Sequence, residues 1–359
     1  MALGIYVHVP WCASRCGYCD FNTYVPGRIR GASPEGFADT AVAELVLHAP
    51  ERLADTVFFG GGTPTLLPAG DLARVLAAIE LAPGAEVTVE ANPETVDPAY
   101  LEALRAAGVT RVSIGMQSAS ASVLATLERA HTAGRAVEVA GWARAAGFNG
   151  VSLDLIYGTP GERDEDWEAT VAAVLSAKPD HVSAYGLLLE PGTRMTAHVR
   201  DGRLPQLDEE AMRRRFEHAD DAFAAAGLHW YELCNWARPG QACRHNLGYW
   251  RSEDWIGVGP GAHSHRDGER WWNVRHPARW AERVAAGIVP IAGREALDEA
   301  ERRTEKLMLG MRMAGGVRAD TVAVPDELLE RGLVRTDGDR LVLTTEGRLL
   351  ADTVVTALL

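Results

Sequence analysis

The sequence has no long hydrophobic run, no excess of positive charge and few cysteines, and each shortage closes off a class of protein. No segment of the 359 residues approaches the roughly 18 consecutive apolar residues that a membrane-spanning helix requires. The opening MALGIYVHVPWC shows no basic stretch ahead of an apolar one, so a secretory leader is not expected. A cytoplasmic protein is expected, with at most peripheral contact at the cytoplasmic face of a membrane. Lys and Arg number 36 against 49 Asp and Glu, a net charge of −13, which argues against general affinity for nucleic acid. Five cysteines make a poor disulfide framework, and three of them, Cys12, Cys16 and Cys19, crowd into eight residues. There is no internal repeat and no low-complexity segment. With 47% hydrophobic and 24% charged residues, disorder and coiled coil are excluded as whole-chain descriptions.

What is present is a βα rhythm. Short β-rich runs at 3–9, 56–59, 86–90, 111–116, 151–156 and 181–188 alternate with helical stretches at 34–48, 69–81, 98–107, 134–146 and 164–177. The runs read as lacking clean polar alternation, the pattern of parallel strands covered on both faces. Six βα units that stop at EPGTRM predict a partial (β/α)6 barrel over residues 1–190, short of the eight units of a complete one. Residues 191–293 read as an extension of that barrel, with a strong helix over 208–227 and seven of the ten tryptophans between 229 and 280. Residues 294–359 read as a winged-helix-like α+β domain, with Asp337-Gly338 as its hairpin signal. That segment carries 10 basic and 13 acidic residues, so DNA reading is not its expected role.

The cysteines stand as C-x3-C-x2-C directly after the first strand. Three thiolates on one short loop can hold three irons of a [4Fe–4S] cube and leave the fourth open to a small molecule. A zinc site completed by His8 or a remote cysteine is the alternative at this spacing. Position at the carboxyl end of a barrel strand, where such folds place active sites, favours the cluster. The second strand runs into Gly60-Gly61-Gly62-Thr63-Pro64, which lets backbone approach a polar ligand without a Cβ in the way. Glu90, Gln117, Arg129 and Asp154 fall at or just beyond other strand ends. A separate segment, Cys234 to Trp250, gathers two cysteines, His245 and several aromatics, and suits either a packed core, a zinc site or a flat macrocycle with an axial imidazole.

C-x3-C-x2-C with Tyr18 before the last cysteine resembles the radical S-adenosylmethionine (SAM) superfamily, and the run Ile5 through Phe21 resembles its oxygen-independent coproporphyrinogen oxidase-like family. The resemblance extends over essentially the whole chain. It implies a [4Fe–4S] cluster on Cys12, Cys16 and Cys19, with Tyr6 flanking it. It further implies that the Gly60–Thr63 run orients the methionine amino group of SAM, that Glu90 and Arg129 contact the methionyl moiety, and that Gln117 and Asp154 bind the ribose. H-N-x-x-Y-W, here His245, Asn246, Tyr249 and Trp250, is similar to the haem-binding motif of the family's haem-chaperone branch; His263 and His265 are weaker ligand candidates. The decarboxylating members carry a cysteine where this chain has Phe21, and a long N-terminal extension, and both are lacking here.

The implied function is binding of haem and its transfer to apo-haemoproteins such as respiratory enzymes; radical decarboxylation of coproporphyrinogen III is the alternative. Whether SAM is cleaved stays open at this point; cleavage would draw an electron from a flavodoxin or ferredoxin. A homodimer is compatible with the sequence. The cluster and haem segments, far apart in the chain, are expected to form separate sites.

Overall fold

The structure, a computed structural model, describes residues 2–359. Six parallel strands follow the expected runs: β1 (Leu3–Val9), β2 (Ala54–Gly61), β3 (Leu81–Ala91), β4 (Arg111–Gln117), β5 (Gly150–Tyr157) and β6 (His181–Gly186), each hydrogen-bonded to the next. Helices between them cover the outer face. One of these, Pro98–Ala106, starts where Asp97 accepts a hydrogen bond from Tyr100 N at 2.7 Å and Pro98 fills the first helical position, whose amide has no helical partner anyway.

The strands do alternate, contrary to the sequence reading. Val7, Val57, Val89, Ile114, Leu153 and Val182 point outward and are fully buried beneath the helices. Their neighbours Tyr6, Thr88, Arg111, Ser113, Ser152 and Asp154 point inward and line a cavity. A barrel interior built as a ligand chamber takes polar residues where a packed one takes aliphatics, so the period of two marks the lumen. Each fully buried aliphatic on the outer face stabilises the fold by about 1.5–3 kcal/mol.

Residues of the expected extension join the same sheet at both edges. β7 (His229–Glu232) and β8 (Asn235–Ala237) continue beyond β6, while β9 (Asp254–Val258) pairs parallel with β1. β10 (His263–Arg266), β11 (Glu269–Asn273) and β12 (Ile291–Ala296) follow antiparallel beyond β9. The result is an open twelve-stranded sheet with seven parallel strands, one more than the six read from the sequence. The boundary expected between 293 and 294 falls inside β12.

Beyond it, β13 (Val317–Arg318), β14 (Val334–Asp337) and β15 (Arg340–Leu343) form a small antiparallel sheet with its own core of Met311, Leu333, Leu341 and Val354. Asp337 pairs with Arg340, so Gly338-Asp339 is a two-residue hairpin loop, with Gly338 at φ +59° supplying the left-handed position. This unit is pinned to the barrel by Arg348. Its guanidinium lies 4.2 Å over the Trp230 ring and forks onto Asp220 at 2.8 and 2.9 Å, and Asp220 also accepts from Trp236 Nε1 at 2.7 Å.

Candidate functional site: an open barrel lumen under a cysteine loop

β1 delivers the chain into the loop that carries Cys12, Cys16 and Cys19, all half-buried. The loop is held from several sides. His8 Nε2 lies 3.0 Å from the Asn22 carbonyl, which can only accept, so Nε2 carries the proton and Nδ1 accepts from Tyr6 OH at 3.0 Å. His8 is thus spent as a brace and is not arranged as a fourth metal ligand. Asn22 Nδ2 in turn donates to the carbonyls of Pro260 and Arg275, tying the loop to the turn after β9 and to the segment after β11. That turn needs glycine: a Cβ on Gly259, at φ +106°, would come within 2.4 Å of the His8 carbonyl oxygen.

The glycine run at the end of β2 packs directly under the cysteines. Gly62 N donates to Val9 O at 2.7 Å and Thr63 N to Trp11 O at 2.8 Å, and a Cβ on Gly62 would meet Trp11 O at 2.6 Å and Cys12 Sγ at 3.0 Å. Arg129 reaches across from beyond β4, donating to Gly115 O at 2.9 Å and to Cys16 Sγ at 3.7 Å. Burial pushes the Cys12 thiol up to about 11, so ionised thiolates here require a compensating cation, which iron supplies. Among the described residues no three His, Cys, Asp or Glu side chains converge on one point as a mononuclear zinc ion demands. A cubane instead spreads its thiolates over three irons, and the loop's donor set and its cationic neighbour Arg129 fit that group.

Below the loop lie Glu90 and Gln117 at the ends of β3 and β4, while Asp154 sits within β5 rather than at its end. Glu90 accepts from Gly61 N at 3.1 Å, and desolvation with the nearby Asp154 raises its carboxyl to about 8. Asp154 accepts from Ser113 Oγ at 3.0 Å and from Ser152 Oγ at 3.4 Å; burial still holds its carboxyl above the usual range despite these hydroxyls. Gln117 sits at φ +62° at a register shift in β4, which turns its side chain beside Gly115 and Arg129.

His245, Asn246, Tyr249 and Trp250 belong to one short helix, Arg244–Trp250. His245 is 3% exposed and lies against Gly4 and Thr56, at the start of β1 and so at the opposite end of that strand from the cysteine loop, Gly4 being about 17 Å from Val9 at about 3.3 Å per residue. Its Nδ1 is 2.8 Å from Thr56 Oγ1 and its Nε2 2.8 Å from Tyr249 OH. Burial lowers its pKa to about 3, so the ring is neutral, the form that ligates metals. Tyr6 and Phe58 stack near its ring, with centroids at 6.5 and 5.4 Å, and Trp255 meets Tyr249 edge-on at 4.8 Å.

The cysteine loop and the His245 segment lie apart, with none of the three cysteines on the wall of the lumen, but residues expected to contact SAM share that lumen with His245. Tyr6, Glu90, Asp154, His245, Asn246 and Tyr249 line one cavity of about 750 Å³, with Phe21, 60% exposed, also on its wall. Trp250 does not join that wall; Trp255 and Trp272 do. Asn246 donates to Glu232, and the Cys243 thiol donates to Glu86 at 3.6 Å. Of the other histidines, His265 Nδ1 is engaged by the Glu253 carbonyl, while His263 stacks on Trp272 at the cavity wall. Arg111, His181 and Tyr231 also line the lumen and were not singled out from sequence, although R-V-S-I-G and H-V-S-A-Y carry the period-two signal that exposes them.

A three-cysteine loop at the carboxyl end of the first strand of an open parallel barrel, with a glycine run on the next strand, defines a radical SAM protein, and residues 6–174 match the radical SAM superfamily. The heme chaperone HemW of Mycobacterium tuberculosis is 48% identical over 99% of this chain and 94% of its own length. Radical S-adenosyl methionine domain-containing protein 1 of Bos taurus mitochondria is 33% identical over 99% of this chain and 87% of its own. The solved coproporphyrinogen III oxidase HemN of Escherichia coli superposes with a TM-score of 0.85 at 22% identity, covering 99% of this chain and 90% of that one. The chain belongs to the HemW family of the radical SAM superfamily.

Proposed function

We propose that the protein is a haem chaperone that holds a [4Fe–4S] cluster on Cys12, Cys16 and Cys19, SAM along the strand ends, and haem in the lumen, and that passes the haem to apo-haemoproteins such as respiratory enzymes. The observation that carries this reading is the neutral imidazole of His245 seated in a 750 Å³ cavity among aromatic rings, within the size range of small-molecule sites. The cluster supplies one-electron chemistry to SAM when both are bound.

The chain's own residues do the rest. Glu90 takes the methionyl ammonium, Arg129 the side nearest Cys16, and Asp154 the ribose hydroxyls. Tyr6 and Phe58 give a flat ligand its stacking face. His245 holds haem iron through Nε2 once Tyr249 OH releases it, and Thr56 orients the ring through Nδ1. Phe21, in place of the additional cysteine of the decarboxylating enzymes, leaves an apolar ring where those carry a thiol.

The test is haem titration of anaerobically reconstituted protein, wild type and His245→Ala. Stable haem binding lost in the variant, with the brown cluster absorbance kept, is the expected result. A wild type that binds no haem but decarboxylates coproporphyrinogen III with SAM and a reductant overturns the proposal in favour of the oxidase.

A further inference from the structure

Arg111 projects from the start of β4 into the lumen and is 4% exposed. Its Nη1 donates to the Gln241 carbonyl at 2.8 Å, while Nη2 is buried with no partner. A guanidinium cannot shed its charge, so burying one beside a single neutral carbonyl is costly unless something anionic completes it. No carboxylate hydrogen-bonds Nη2, although Asp154 on the same wall is close enough for its charge and that of Arg111 to interact. Asp154 spends its oxygens on Ser113, Ser152 and Ser183. Glu86 accepts from the Cys243 thiol and from His245 N at 3.1 Å. Beside Arg111, His181 is held between Ser152 Oγ and Tyr231 OH, each at 2.8 Å, and stays uncharged through burial and the neighbouring Arg111 charge.

We propose that Arg111 is the anchor for a carboxylate of the ligand that fills the lumen, received by the free edge of the guanidinium. Resting on the haem reading above, the carboxylate is one of haem's propionates, and the site fixes which way round the macrocycle enters. Iron at His245 and a propionate at Arg111 are two points of attachment, enough to orient a flat ligand against the stacking face of Tyr6 and Phe58. SAM carries the same chemical group, so the measurement distinguishes the two sources.

The experiment compares affinities of haem, haem dimethyl ester and SAM for wild type, Arg111→Gln and Arg111→Lys, all cluster-loaded. Wild type is expected to bind haem about ten- to a hundredfold more tightly than the ester, the range of a charge-assisted hydrogen bond. Arg111→Gln loses that preference while keeping affinity for the ester, and Arg111→Lys, which keeps the charge without the fork, recovers part of it. Retained ester binding and cluster absorbance show that the variants are folded. A loss confined to SAM moves the anchored carboxylate to SAM and overturns the propionate assignment. Unchanged affinity for both haem and SAM in Arg111→Gln overturns the carboxylate site altogether. Wild type that binds no haem refutes the chaperone reading instead, and the SAM arm alone then decides whether Arg111 holds a carboxylate.

Discussion

Glu90, taking the methionyl ammonium as proposed, makes SAM binding and proton release one event. With its carboxyl near 8 before ligand binds, only about one molecule in eleven is ionised at pH 7. A methionyl ammonium beside it requires the carboxylate, so binding at pH 7 releases about 0.9 proton from this side chain and is weakened by about 1.4 kcal/mol relative to a site already ionised. The sign follows directly: affinity rises with pH up to about 8 and falls roughly tenfold per unit below it. The ligand's own α-amino group titrates near 7.7–8.0, so at pH 7 it takes up only about 0.1–0.2 proton in the opposite direction. Calorimetry of SAM binding at pH 7 in phosphate and in Tris, whose ionisation enthalpies differ, reads the proton count. Wild type should release about 0.7–0.8 proton, and Glu90→Gln should instead take up about 0.1–0.2. Equal counts in the two proteins would show that Glu90 does not face the ammonium.

Gly62→Ala should prevent cluster assembly, because its Cβ has no room against Trp11 O and Cys12 Sγ, whereas Gly70→Ala, with nothing within 4 Å, should assemble normally; iron and sulfide analysis after reconstitution separates them. Tyr249→Phe removes the hydroxyl that occupies His245 Nε2 and should speed haem binding several-fold in stopped-flow absorbance, and a slower rate would mean that Tyr249 assists ligation. Arg348→Ala strands Asp220 and empties the ring of aromatics around it, and should lower unfolding stability by about 3 kcal/mol in a denaturant titration.

The strands and the cysteine loop were legible because their signals are local. β1 to β6 and their helices announce themselves within a dozen residues each, and three cysteines in eight residues need no partner elsewhere to be noticed. Glu90 was legible through its position at the end of β3, whereas Asp154, expected at a strand end, lies inside β5 on its inward face. What escaped was long-range or masked. β9 is five residues long and reaches β1 across some 250 positions, and no local pattern marks such a pairing. The lumen's polar stripe was present as R-V-S, S-L-D and H-V-S, but it passed for double coverage because the outward aliphatics dominate each run. Arg111, His181 and Tyr231 went unnoticed with it. The meeting of His245 with Tyr6, Glu90 and Asp154 in one cavity follows from β9 and the helix before it closing under the barrel, which is a property of the tertiary fold.

Transfer itself is the most direct test. Cluster-loaded protein is charged with one haem per chain, passed over a desalting column and mixed anaerobically with an excess of a respiratory apo-haemoprotein, while the Soret band and the acceptor's activity are followed. The account predicts that the haem leaves this chain, the acceptor gains spectrum and activity, and His245→Ala does neither. A charged protein that keeps its haem in the presence of the acceptor, or delivers it no faster than free haem, would contradict it.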